Sequence, residues 1–403
     1  MSRRSEAGLM AILGIVAFAA ALLVSVVLHE GGHFVTARHY GLKASKFFVG
    51  FGPTIWSRQR GETEYGIKAI PAGGFVKIEG MTPLEEIDPE DEPRAFHNAR
   101  ARARLVVMSA GSFVHFVIAI VLIYAVLVTL GTKQVSESKI GSTSCVATTA
   151  KCSGPGPAAA AGMRPDDRIV SFDGVAVHTW KDFTRRVREH GAGPASLVVE
   201  RDGRQLTLAP DLVEVRRNRV TGESGDDRVG ALGVRPGLDT VHYNPIEAVP
   251  QTFKVIGSGF TGMYNTLTHR IGDVGKIFSN DRDPQGFISV VGAARIGGDV
   301  VSAPDSSVLD RIGQFLILVA AINLAVGIFN LLPLLPLDGG HIAVLGFEQA
   351  RHGLRRLRGY RGPVQKVDFA KLLPATYATV VVLLGFSLLL LSADIFNPIR
   401  LNQ

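Results

Sequence analysis

Apolar residues gather into four long stretches, at about Leu9–Phe34, Leu105–Leu130, Phe315–Leu337 and Ala370–Phe396. Each is at least as long as the roughly 20 residues a helix needs to cross a bilayer, so the pattern predicts four membrane helices. The first is too long for the core of a cleaved signal, and its removal would discard the His and Glu residues it carries. Between the first two stretches the pattern turns to short, Gly-punctuated β-rich runs: Phe47–Gly52, Glu64–Ile70 and Gly73–Ile78. These predict hairpins, whose edge either holds an extended substrate by strand addition or serves only as an interfacial loop. The acidic run Glu85–Glu92 predicts a solvated loop, and Arg94, Arg100, Arg102 and Arg104 are expected to reach the headgroups at the start of the second membrane helix. Ser109–Ser112 offers small residues for close helix packing, and His115 reads as a hydrogen-bonded residue inside the bundle.

Residues 156–208 follow a soluble pattern. A short helix leads to a turn, a strand around Ile169–Phe172 and the turn Asp173-Gly174; a helix around Trp180–His190 precedes strands Ser196–Arg201 and Gln205–Leu208, joined by Asp202-Gly203. Farther on, Pro245–Tyr264 and Ile288–Ile296 have the pattern of amphipathic helices at a membrane surface, with a polar turn at Asn280–Pro284.

Composition agrees with a membrane protein: 46% of the 403 residues are apolar and the mean hydropathy is +0.23. The net charge of +7 raises the question of a nucleic-acid partner, and its distribution excludes one. Residues 37–104 hold 11 basic against 9 acidic residues, 131–312 hold 22 against 21, and 346–372 hold 7 against 2. The excess lies in short loops, which the positive-inside rule assigns to the cytoplasm, leaving 131–312 and both termini outside. Cys145 and Cys152 fall in the outer segment, where they form a small disulfide loop or remain free thiols.

The first membrane stretch ends in His29-Glu30-Gly31-Gly32-His33. On a helix the two histidines share a face and converge on one cation, while Glu30, about 100° around, reaches a water without being a ligand. That is the arrangement of zinc-dependent hydrolysis with Glu30 as general base. Ionisable groups at membrane depth are costly and mark function. Catalytic zinc takes three protein ligands, so a third is needed. Asp338, after the polar positions Asn323 and Asn330 of the third stretch, is the leading candidate, and His341 is its rival. Pro333 and Pro336 break the helical ladder just before it.

Residues 133–235 resemble a bacterial PDZ domain, on the small-residue helix, the turn Gly162-Met163-Arg164-Pro165-Asp166-Asp167-Arg168-Ile169 and the following Asp173-Gly174. Together with His29–His33 and the run Asn330 to Asp338-Gly339, the whole resembles the site-2 protease family of intramembrane zinc metalloproteases, in particular its four-helix bacterial members. Two positions depart from the family pattern: the second proline, Pro336, lies one place late, and His115 stands where the family often has Asn. The resemblance implies one Zn2+ per chain held by His29, His33 and Asp338, Glu30 as base, and Asn330 positioning substrate or stabilising the oxyanion. It implies a multi-pass α-helical membrane protein of the plasma (inner) membrane, with four transmembrane helices, membrane-associated β-hairpins and an inserted α+β PDZ domain. The expected parts are a first membrane half (1–132), the PDZ domain (133–235), a juxtamembrane linker (236–312) and a second membrane half (313–403). The expected substrates are transmembrane proteins such as anti-sigma factors already trimmed by another protease, with membrane lipid as surroundings and no nucleic acid. The competing reading is a non-catalytic scaffold that binds through its PDZ domain, for which Glu30 would be superfluous.

Overall fold

The computed structural model describes residues 3–81, 87–146, 155–216, 228–269, 275, 277–278, 286–303 and 306–398. The chain divides into two compact units, one of residues 1–130 and 243–403, the other of residues 131–242 inserted between them.

The first unit begins with α1 (Arg3–His39) and a ribbon of β1 (Ala44–Arg60) and β2 (Thr63–Ile78). Phe47 lies opposite both Val76 and Tyr65, so the ribbon folds back and β2 flanks the first half of β1 on both sides. The three β-rich runs read from the sequence all fall within it. The acidic run Glu85–Glu92 lies partly outside the described residues. Next comes α2 (Ala101–Thr129). Ala37, Leu42, Ile78, Phe96, Val107 and Met108 form one buried cluster that joins the end of α1, the ribbon and α2.

After the inserted unit the chain continues with α5 (Pro245–His269), α6 (Val290–Ser302), α7 (Val308–Asn330), α8 (Asp338–Leu357) and α9 (Leu373–Phe396). The turn expected at Asn280–Pro284 is outside the described residues. Ser289 and Ser307 cap α6 and α7, each accepting a hydrogen bond from the backbone N–H three residues on, which fixes where these helices start. Two further clusters hold the bundle: Ala119, Ile123, Leu127, Ala248, Ala320 and Leu324 join α2, α5 and α7, while Phe18, Ala293 and Val319 join α1, α6 and α7. Among the described residues four helices are long and apolar enough to span a membrane: Ser5–His39, Ala101–Thr129, Val308–Asn330 and Ala370–Phe396.

Two expectations need correction. The third apolar stretch, expected to be helical to Leu337, stops at Asn330. Leu331–Leu337 forms a series of turns, because Pro333 and Pro336 lack the N–H that a helix would use, and Asp338 opens a separate helix. Gly339 and Gly340 lie against that turn so closely that a Cβ on either would strike its backbone at Leu331, Leu334 and Leu335. Arg104, expected to reach outward, is 7% exposed and pairs with Glu348 of α8 at 2.9 Å. A buried carboxylate on the neighbouring helix offers it a stronger partner than the headgroups would.

The inserted unit contains β3 (Thr132–Thr143), α3 (Pro157–Ala160), β4 (Arg168–Phe172), β5 (Val175–Ala176), α4 (Trp180–His190), β6 (Gly193–Pro194), β7 (Leu197–Arg201), β8 (Arg204–Leu208), β9 (Asp211–Arg216), β10 (Arg228–Ala231) and β11 (Val234–Val241). One sheet runs β11-β3-β4-β7-β8 with β5 on β4, and a smaller one runs β10-β9-β6. Asp173-Gly174 and Asp202-Gly203 all have positive φ, the conformation of tight two-residue hairpin turns, and they link β4 to β5 and β7 to β8. α4 turns Phe183 and Val187 into a core with Ile140, Ile169, Phe172, Leu197 and Val199. Cys145 is disulfide-bonded. Cys152 lies outside the described residues.

Candidate metal centre

The helical spacing of His29 and His33 puts both imidazoles on the side of α1 that faces α2 and α8. Their Nε2 atoms lie 3.2 Å apart. Asp338 Oδ2, at the first residue of α8, is 3.4 Å from His33 Nε2 and 3.6 Å from His29 Nε2. Among the described residues this is the one group of three or more His, Cys, Asp or Glu side chains close enough to share an ion. His341, the rival third ligand, lies outside the group.

The local surroundings favour a cation. His33 Nδ1 donates to the Val107 carbonyl at 2.7 Å; because a carbonyl only accepts, that nitrogen carries the proton and Nε2 presents its lone pair to the cluster. Asp338 Oδ2 is buried and accepts no hydrogen bond. A buried carboxylate oxygen without a donor is costly unless a cation faces it. Ligands at about 2.0–2.2 Å in a zinc tetrahedron stand roughly 3.3–3.6 Å apart, and the three edges measured here, 3.2, 3.4 and 3.6 Å, approximate one face of such a tetrahedron. Gly111 of α2 lies directly over the two rings, and a Cβ there would collide with both. The site fits zinc in donor type, spacing and room.

Glu30 is on the neighbouring side of α1 and half-buried. Its Oε2 accepts the Val76 N–H of β2 at 3.0 Å, so the ribbon fixes the carboxylate while Oε1 stays available. The Cβ that Gly74 lacks would lie 3.7 Å from Glu30 Cγ, so the bare backbone of β2 runs beside the carboxylate.

His115 and Asn323 complete the buried polar set. His115 Nδ1 donates to Asn323 Oδ1 at 2.8 Å, and Asn323 Nδ2 donates to the Val319 carbonyl of its own helix at 2.8 Å. The His115 ring is 4.9 Å from that of His29, centroid to centroid. Asn330 is the last residue of α7, where the helix gives way to the turns before Asp338. Sequence reasoning did not anticipate Val107 or Val76, and read Gly111 only as part of a small-residue run for helix packing. Val107 and Val76 act through backbone atoms, which leave no side-chain signature; for the His115–Asn323 pair the available signal was a polar residue inside each of two apolar spans.

The family model for peptidase family M50 matches residues 17–373, which takes in the second half of α1 with His29–His33, the ribbon, the inserted unit and Asp338. The chain belongs to peptidase family M50. It is 42% identical to zinc metalloprotease Rip1 of Mycobacterium tuberculosis (strain ATCC 25618 / H37Rv), covering 98% of this chain and 100% of the relative. It is also 41% identical to zinc metalloprotease Rip1 of Mycolicibacterium smegmatis (strain ATCC 700084 / mc(2)155), covering 97% and 99%. Family M50 comprises the site-2 proteases, and this member is a multi-pass membrane protein and a zinc metalloprotease.

Proposed function

We propose that His29, His33 and Asp338 hold a single zinc ion, that Glu30 is the general base, and that the enzyme cuts the transmembrane segments of membrane proteins. The observation that carries this reading is the triangle of Nε2, Nε2 and Oδ2 atoms at tetrahedral spacing, with Glu30 beside it. Zinc, when bound, supplies Lewis acidity towards a water and a peptide carbonyl. Glu30 takes the proton of the attacking water at Oε1, its Oε2 being tied to Val76, and returns it to the leaving amine. His33 holds its tautomer through Val107, so Nε2 stays unprotonated throughout. Asn330, the last residue of α7, steadies the substrate carbonyl. A helical substrate shields its own peptide bonds, so it must unwind before cleavage; the half-buried backbone of β2 near Gly74 supplies an edge for the extended segment. Substrates of this kind include anti-sigma factors already shortened by another protease.

Metal analysis tests the ligand set. His29→Ala, His33→Ala and Asp338→Ala are expected to lose zinc, while Glu30→Ala keeps zinc and loses cleavage. Full zinc in Asp338→Ala together with loss in His341→Ala would refute the assignment.

For the inserted unit, the order of strands and the turns Asp173-Gly174 and Asp202-Gly203 support a PDZ domain. In the inner membrane the basic loops 37–104 and 346–372 would face the cytoplasm and this unit the outside. Cysteines introduced at Glu90, Glu200 and Tyr360 test the topology, and labelling at position 200 from the cytoplasmic side would overturn it. The domain acts as a size gate that admits trimmed substrates. Deletion of residues 133–235 is therefore expected to preserve zinc and permit cleavage of untrimmed substrate. Loss of cleavage of the trimmed form in a folded, zinc-loaded deletion would favour peptide capture instead.

A further inference from the structure

Among the buried charges of the first unit that play no part in the proposed chemistry, two are paired with each other. Glu348, 1% exposed, is on α8, and Arg104, 7% exposed, is in the first turn of α2. Arg104 donates to Glu348 Oε2 at 2.9 Å, and Oε1 accepts the Val367 N–H at 2.8 Å. The guanidinium also stacks over the Phe96 ring, 5.6 Å from its centroid. Burying such a pair costs about as much in lost hydration as the attraction returns, and well-packed apolar residues are often at least as stable. The best-attested use of a buried polar pair is register: apolar helix faces can slide past one another, whereas a buried ion pair closes in one alignment.

The two helices so joined carry different parts of the metal centre. Asp338 is on α8 ten residues before Glu348, about 15 Å along the same helix. On α2, Val107, whose carbonyl orients His33, follows Arg104 by less than one turn, and Gly111, which covers both imidazoles, follows by about two. Immediately before Asp338 the chain is a run of turns rather than helix, so α7 does not rigidly dictate where α8 starts. A slip of one residue along α8 would shift Asp338 by about 1.5 Å, far outside the tolerance of a metal–ligand bond.

We propose that the Arg104–Glu348 pair is a positioning contact for the zinc site: it sets the register of α8 against α2 and thereby holds Asp338 Oδ2 against the Nε2 atoms of His29 and His33. This rests on reading those three side chains as the ligands. A cavity of about 280 Å³ beside the pair, lined in part by Phe96, His97, Lys366 and Val367, gives replacement side chains room to settle without forcing the helices apart.

The test uses the full-length protein in detergent, with zinc affinity measured by competition against a chromophoric chelator and ligand geometry by the visible spectrum of the cobalt-loaded protein. Glu348→Ala, and separately Arg104→Met combined with Glu348→Leu, are expected to weaken zinc binding roughly 10-fold or more and to alter the cobalt bands, while the protein stays monodisperse. Exchanging the two charges, Arg104→Glu with Glu348→Arg, should recover part of the lost affinity. The doubly apolar variant keeps the packing, so a merely structural role would leave its affinity and spectrum at wild-type values; that result overturns the proposal. Failure of both variants to fold overturns it too, since the pair would then be needed for the fold at large. His29→Ala serves as the control: wild-type affinity there refutes the ligand reading, whereas its loss with unchanged Glu348 variants refutes only the positioning role.

Discussion

Asp167 of the inserted unit and Asp338 of the membrane unit each hold a carboxylate oxygen out of reach of solvent, and the two are partnered in opposite ways. In the inserted unit, Asp167 is closed on every side: Oδ1 accepts Arg201 Nε at 2.7 Å, and Oδ2 accepts a second Arg201 nitrogen at 2.7 Å and the Arg164 N–H at 2.8 Å. In the membrane unit, Asp338 keeps a buried oxygen that accepts no hydrogen bond and faces the Nε2 atoms of His29 and His33. The first arrangement spends the charge on the fold. The second leaves an oxygen open to a cation, so the two carboxylates differ in how they are partnered rather than in burial alone.

Neutralising each carboxylate sharpens the contrast. Asp338→Asn removes the anionic ligand, and its effect on zinc affinity should exceed the roughly 10–100-fold typical of losing an outer-shell partner, with cleavage abolished. Asp167→Asn should leave zinc content untouched and destabilise the inserted unit, because the Arg201 guanidinium loses its paired charge, though solvent reaches it and softens the loss. Trp180 packs against that unit's core, so in a Trp56→Phe background its fluorescence in a denaturant titration reports the loss. Zinc loss in Asp167→Asn would break the comparison.

The same pair sets a pH dependence. Burial pushes the Asp167 carboxyl up, but the hydrogen bonds from Arg201 and Arg164 outweigh it and hold the group below the usual carboxylate range. A depressed pKa in the folded state contributes stability that is complete above the unfolded value of about 3.9 and is lost as pH falls through the folded value. The inserted unit should therefore weaken below about pH 4, and the Asp167→Asn variant should lack that component of the decline. A smaller effect is expected at the exposed ribbon, where Arg94 grips Glu62 with both nitrogens, at 2.7 and 2.8 Å. Glu62→Gln should change stability by about 1 kcal/mol or less, since solvent screens both partners. A larger loss in thermal unfolding would show that geometry outweighs exposure there.

Much of this was legible in the chain. Four apolar stretches predicted the four spans, and His29, Glu30 and His33 declared their helix face through spacing alone. Asp338 was readable as a residue type in an unusual place, but not as the start of a new helix, because the strength of the Pro333 and Pro336 break depends on what packs against the freed backbone. Arg104 looked like a surface anchor since nothing near it in sequence announces Glu348, 244 residues away. Gly111 was visible only as part of a small-residue run suited to helix packing, and the supports from Val107 and Val76 were invisible for a general reason: backbone carbonyls and amides carry no sequence mark until the fold brings them to a site.

The central claim is that two imidazoles and one carboxylate make the metal site. X-ray absorption at the zinc edge of the full-length Glu30→Gln protein examines it directly, since that variant should bind zinc without turnover. The account predicts two imidazole ligands with the remaining donors oxygen at about 2.0 Å. A third imidazole in the coordination shell, whether from His115 or His341, would contradict it.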